Sequence, residues 1–425
     1  MKETPVAGVD VSKEFSDMCI LAPDNTVFER VKVYHDKTSM GRAVKALDRA
    51  SRAFGEKPVV VMESTSHYHR LLCQFLTRHR YHVVTINPLQ SSAFKNINIR
   101  KIKNDQIDAY RLALLYRTKA LKPNLIPSDI IENLRMLTRQ HQDMKQDLTA
   151  YEMRLQSVLD QTFPGFDKIF RRLTSKTALA LLEKYPTPES VHSARTAALA
   201  KLIRENSRKG AAYSEKKAKE LKVIADKALE IHVTRVSAAV LVRAEVTVLK
   251  TIKELVVQVD AEIHSCIKAD DTLCWNVELL CSIPGIAAYS ACVILAEIGD
   301  FSKFPKAKKL VAFFGLDPSI RQSGKFSGSE NHISKRGSKY LRATLSMAVR
   351  TNISRKRNGE FFNPILADYY QKKCQTKLPK VACCAVMHKL INIIFAVLRD
   401  QKPFVFRSPQ EHLALMRSNT ASKAA

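Results

Sequence analysis

No two of the nine cysteines form a C-x-x-C pair, and the only close neighbours are the adjacent Cys383 and Cys384. A zinc ribbon is therefore not expected, and no disulfide framework is indicated. The N-terminal stretch MKETPVAGVDV lacks the apolar core of a signal peptide, and apolar residues nowhere run uninterrupted for the about 18 positions of a membrane span. There is no internal repeat. Acids are scarce as well: 41 Asp and Glu against 69 Lys and Arg give a formal net charge of +28. The shortage is sharpest from Lys303 to Arg357, where fourteen basic residues meet only Asp317 and Glu330. Such a surface attracts polyanions, nucleic acid first among them. A soluble protein of a reducing cytoplasm, with no membrane partner, is expected.

What is present divides along the chain. With 425 residues, of which 45% are apolar, two or three domains are expected. PVAGVDVS, SDMCILAP and NTVFERVKVY read as three successive strands, and SMGRAVKALDRASRAF has helical spacing. KPVVVMES is a continuous apolar run of the kind buried on both faces of a sheet. YHRLLCQFLTRH, YHVVTINP and NDQIDAYRLALLYRT follow as helix, strand and helix. The order β-β-β-α-β-α-β-α is that of a ribonuclease-H-like fold, assigned to 1–122.

From Ile130 apolar residues recur at a 3,4 spacing: Leu134, Leu137, Met144, Leu148, Tyr151, Leu155 and Val158, with His141 filling one place. This seam predicts a long helix seeking another helix. A second runs from Val236 to Lys268. The two pair antiparallel in one chain or join helices of a second protomer. Together they form a coiled-coil arm over 123–275, carrying a charged, helix-prone insert at about 165–235. A mainly helical domain over 276–405 and a flexible tail over 406–425 complete the chain.

Asp10 lies between valines on the first strand, where a carboxylate needs pairing or a metal. Glu63 ends the strand expected beside it. Asp105 and Asp108 open the third helix on one face. Either acid alone suits a helix N-terminus. Together, four carboxylates from three segments fit Mg2+, as one ion or as two about 3.5–4 Å apart clamping a phosphodiester. His67 and His69 form a His-x-His beside Glu63, with no third nitrogen ligand in sight, so substrate contact or plain surface is preferred to zinc. In the C-terminal part, Pro284 and Gly285 make a helix-hairpin-helix-like turn that fits a duplex backbone, or an ordinary αα-hairpin. Ser323 stands in RQSGK, between Arg321 and Gly324–Lys325, where a hydroxyl could attack phosphorus once activated. Lys335, Arg336 and Arg342 add charge at a helix start.

Asp10, Glu63, Asp105 and Asp108, combined with IPGI, FFGLDP, RQSG and ISKRGSKYLR, resemble the DEDD transposases of insertion sequences, the IS-one-ten family, which includes the Piv invertase. The resemblance covers essentially the whole chain. It implies a RuvC-like domain whose four acids bind Mg2+, and a transposase domain whose serine, here Ser323, joins covalently to a DNA strand end. It also implies a homo-oligomer, dimer or tetramer, in which the serine domain of one protomer completes the acidic site of another. A structured non-coding RNA, the bridge RNA, would select donor and target duplex DNA. Ala287 departs from the family's usual PGIG turn, and the insert is long for the family. Two alternatives stay open: a metal-dependent junction-resolving nuclease and an invertase without an RNA guide.

Overall fold

The computed structural model describes residues 4–64, 68–86, 105–118, 128–231, 237–319, 322–323, 326–327, 332–406, 410–411 and 414, with backbone alone at 105–106, 322–323 and 326–327. His67, Arg321, Gly324 and Lys325 lie outside the described residues. The chain divides into two compact units, Met1–Pro127 and Ser128–Ala425.

The first unit is a five-stranded mixed sheet with helices on both faces. Its elements are β1 (Val6–Val11), β2 (Phe15–Leu21), β3 (Val27–Tyr34), α1 (Lys37–Phe54), β4 (Val59–Glu63), α2 (His69–Arg78), β5 (Val83–Ile86) and α3 (Asp105–Thr118). The strand order is β3-β2-β1-β4-β5, so β1, which carries Asp10, is central. β1 pairs antiparallel with β2 and parallel with β4. Alternation sorts the side chains. Ala7, Val9, Met18, Val33, Val60 and Met62 enter the core under α1 and α2. Val6, Cys19, Leu21, Val61 and Val84 meet Ala109, Leu112 and Ala113 of α3 on the other face. Asp36 caps α1 by accepting from the Ser39 amide, and Gly55 ends it with φ +71°.

The second unit is built on two long helices, α4 (Asp129–Thr162) and α5 (Ala238–Lys268). They pack against each other within one chain. Leu134 shares a core with Ile263 and Ile267, while Leu155 and Leu159 share another with Val242 and Val246, so the helices run antiparallel. The charged insert has its own interior: Phe163, Phe166, Leu181, Leu182, Leu199 and Leu221 are fully or almost fully buried between its helices and the far ends of α4 and α5. The near ends join a helical group made of α6 (Asp271–Cys281), α7 (Ala288–Ile298), α8 (Ala307–Phe313), α9 (Lys339–Asn352), α10 (Pro364–Cys374) and α11 (Pro379–Asp400). Among the described residues, α11 alone is long and apolar enough to cross a membrane by length and composition. His388 and Lys389 interrupt it, and Val386, Leu390, Ile391 and Ile394 are wholly buried in the core.

Candidate active site

The acidic positions of the first unit are set by strand register. Val9 pairs with Met62 across the parallel β1–β4 ladder, which leaves Asp10 and Glu63 level at the ends of their strands. Strand alternation fixes the face they share. Two residues before Asp10, Gly8 lies so close under α3 that a Cβ there would stand 2.0 Å from the Ala109 carbonyl oxygen and 2.7 Å from the Ala113 amide. Asp10 therefore faces α3, and Asp108 precedes the helical residue that touches Gly8. Glu63 and Asp108 are 9% and 6% exposed, a depth at which carboxylates persist only with partners. Asp105 is the first residue of α3.

Two neighbours went unnoticed in the sequence. Asp17 pairs directly with Asp10 across the antiparallel β1–β2 ladder, which adds a carboxylate to the same row. Its place follows from the four residues, 12–15, that separate the last ladder pair, Val11 and Ser16. Arg111 reaches Asp108 at 3.2 Å, one turn on along α3. Like charges set opposite each other on a sheet repel, so Asp10 and Asp17 make this end of the row favourable for a cation. Among the described residues, no group of three or more His, Cys, Asp or Glu side chains stands in metal-holding geometry. The carboxylate of Asp105 is outside that description. The donor set itself, oxygen only, suits a hard divalent ion.

In the second unit, Ser323 lies on a short hairpin. Gln322–Ser323 pairs antiparallel with Phe326–Ser327, Ser323 opposite Phe326. The base of this hairpin is backbone against backbone. A Cβ on Gly337 would lie 2.1 Å from the Phe313 carbonyl oxygen, and one on Gly315 would lie 2.5 Å from the Gly337 amide. The Lys335 amide donates to the Gly315 carbonyl at 3.0 Å, with Lys335 itself in the left-handed region at φ +53°. Further out, Ser334 donates from its amide to the Asp317 carbonyl, and Pro318 bridges to Ile333. Glycine at 315 and 337 is thus what lets FFGLDP and SKRGSK lie side by side.

The basic residues of this region divide by task. Lys335 and Arg336 are exposed. Arg342 is half-buried, and its guanidinium donates to the carbonyls of Gly337 at 2.7 Å and Phe314 at 3.4 Å, so it ties the hairpin base to α9. Burial pulls its pKa below the usual arginine value. The Pro284–Gly285 turn packs on the same helix. Gly285 has φ +78°, and a Cβ there would meet Asn352 Nδ2 at 2.6 Å and the Ala348 carbonyl at 2.7 Å. The buried Asn352 amide donates to the Pro284 carbonyl at 2.5 Å. Packing alone accounts for that glycine. The first turn of α7 has no side-chain cap from Ala287.

Two family models match the chain: a transposase model of the DEDD IS110 type over residues 7–164, and the Transposase IS116/IS110/IS902 family over residues 277–371. The chain belongs to the IS110 transposase family. A 44.8 kDa protein of insertion element IS116 from Streptomyces clavuligerus is 24% identical over 80% of this chain and 82% of its own length. The mini-circle putative transposase for IS117 from Streptomyces coelicolor is 25% identical over 76% of this chain and 78% of its own. The pilin gene-inverting protein of Moraxella lacunata is 34% identical over 35% of this chain and 45% of its own. This IS110-family protein is accordingly a DNA transposase or recombinase of an insertion sequence. The first model spans Asp10, Glu63, Asp105 and Asp108, the second covers Ser323, and neither reaches the insert at about 165–235.

Proposed function

We propose that this protein is a site-specific recombinase that cuts and joins DNA through two reactive centres: the acidic row on a ribonuclease-H-like, RuvC-type sheet, and Ser323. Asp10, Glu63, Asp105 and Asp108 would hold Mg2+, which supplies Lewis-acid polarisation of a phosphodiester when bound. Asp17 adds negative charge to the row, and Arg111 orients Asp108. The observation that carries the reading is that Asp10 and Glu63 end neighbouring parallel strands on the face that Gly8 opens to α3.

At the second centre the Ser323 hydroxyl oxygen bonds to phosphorus as the bond from phosphorus to the sugar oxygen breaks. The hydroxyl proton passes to the departing sugar oxygen. The reverse step joins that hydroxyl, or one from another strand, and frees the serine. Lys335 and Arg336, exposed at the hairpin base, supply charge for phosphate, as do Arg321 and Lys325 in the family motif. Donor and target duplexes are chosen by a structured guide RNA, and the protein works in the bacterial cytoplasm as a homo-oligomer.

The test uses end-labelled donor and target DNA with co-expressed flanking RNA. Ser323→Ala is expected to lose the covalent protein–DNA adduct and all joining, and Asp10→Asn to lose both cutting and joining. Strand exchange by Ser323→Ala would refute the serine reading, whereas a metal-dependent junction-resolving nuclease, which needs the carboxylates and water alone, would cut with or without Ser323 and join in neither case. Undiminished activity without RNA would favour an invertase-like enzyme with no guide.

A further inference from the structure

The row Glu63–Asp10–Asp17 continues onto β3. Asp17 pairs with Lys32, and in the neighbouring row Phe15 pairs with Tyr34. Alternation sends Val31 and Val33 of β3 toward the α1 core, leaving Lys32 and Tyr34 on the face of the acids. α3 packs chiefly over β1, β2 and β4. At β3 that face is open: Tyr34 is 45% exposed, and both Arg30 and Lys32 are exposed. The rings of Phe15 and Tyr34 lie 6.1 Å apart at 60°. Lys32 Nζ stands 3.5 Å from the centre of the Phe15 ring and 5.9 Å from that of Tyr34.

Two aromatic rings beside two exposed cations are what a nucleic-acid strand needs outside a duplex. Rings stack with bases whatever the sequence, and cations meet the phosphates between them. A base still paired and stacked in a duplex has no face to offer Tyr34. Strand spacing puts Lys32 roughly 10 Å from Asp10, a reach that a nucleotide or two covers.

We propose that Phe15, Lys32 and Tyr34 receive single-stranded DNA leading to the acidic row: an unpaired base stacks on Tyr34, and Lys32 and Arg30 hold its phosphates. The proposal rests on the acidic row being the cutting site, and its test separates the two. The full-length protein is titrated in EDTA with a single-stranded oligodeoxynucleotide carrying one 2-aminopurine, whose fluorescence stacking quenches. The same DNA as duplex and the same sequence as RNA serve as competitors.

Tyr34→Ala is expected to bind the single strand about ten-fold more weakly and to lose most of the quenching, while Tyr34→Phe keeps both. Lys32→Glu, which leaves the rings in place, is expected to weaken binding and flatten its salt dependence. Tyr34→Ala and Lys32→Glu both matching the wild type would overturn the proposal. So would equal losses in Tyr34→Ala and Tyr34→Phe, or stronger competition by duplex or RNA than by the single strand. Asp10→Asn is expected to keep the quenching and lose metal-dependent cutting. If it cuts normally while the platform variants lose quenching, the acidic reading fails and the platform stands.

Discussion

Gly8→Ala tests the geometry of the acidic row most directly, because the residue changed carries no chemistry of its own. The added Cβ would sit 2.0 Å from the Ala109 carbonyl oxygen, against about 3.3 Å for a close C···O contact, so α3 must retreat by at least about 1 Å. The neighbour is helix backbone and cannot swing aside as a flexible side chain could. α3 is also held: Ala109, Leu112, Ala113 and Leu115 are all at most 1% exposed. Overpacking of this kind costs about 3 kcal/mol, which corresponds to a melting-point drop of about 10 °C for a domain this size. The control is Gly41→Ala in α1, where nothing lies within 4 Å of the added Cβ. That change should be neutral or stabilising by about 0.5–1 kcal/mol. Asp108 rides on the displaced helix, and a 1 Å misplacement of a reacting group costs about 10²-fold in rate. Thermal melts, hydrogen exchange of 105–118 and end-labelled cutting assays read the three effects. Gly8→Ala with wild-type melting and cutting would refute both the placement of α3 and its part in the site.

Three further outcomes follow from the same structure. Arg139→Ala strands the almost buried Glu297, whose carboxylate it grips at 2.5 and 2.8 Å; a loss of about 3 kcal/mol in denaturant melts is expected, largely recovered by adding Glu297→Gln. His141 is buried against Tyr289, and burial holds its pKa below the usual value despite Asp260 at 3.1 Å; Lys145 acts in the same direction as burial. The unfolded chain then takes up that proton first, so stability present above about pH 6.5 should fall as pH drops toward the lower folded pKa. Melts from pH 7.5 to 5.0 should show a shallower slope for His141→Gln, and an unchanged slope would exclude His141 as the source. With a net charge of +28, DNA affinity measured by anisotropy should fall steeply and linearly with log salt concentration, and a flat line would contradict a phosphate-binding surface.

The sequence exposes some of this design and conceals the rest, for physical reasons. Element types in the first unit are legible because alternation in VAGVDV and the continuous run VVVME differ visibly from the 3.6 period of the helices. Asp10 stands out because a carboxylate among valines on a strand is costly. Asp17 does not, since its place beside Asp10 depends on the hairpin register, and register is a property of two strands. Arg111 is concealed in another way. One turn after Asp108 it reads as ordinary helix charge, and only burial on both sides makes it a partner.

Glycine is where one-dimensional reading misleads most. In IPGI and RQSG a glycine reads as room for a ligand, yet at Gly285 the space is taken by Ala348 and Asn352. At Gly8, which lies in an unremarkable strand, the missing Cβ is what lets α3 approach the acidic row. The same residue type thus closes one surface and builds another, and the difference lies in what packs against it. Substitutions at Gly285 should therefore show first in folding of the second unit. Substitutions at Gly8 should show in cutting as well, because α3 carries Asp105 and Asp108. That contrast in readout is what separates a glycine that fills a core from one that positions a site.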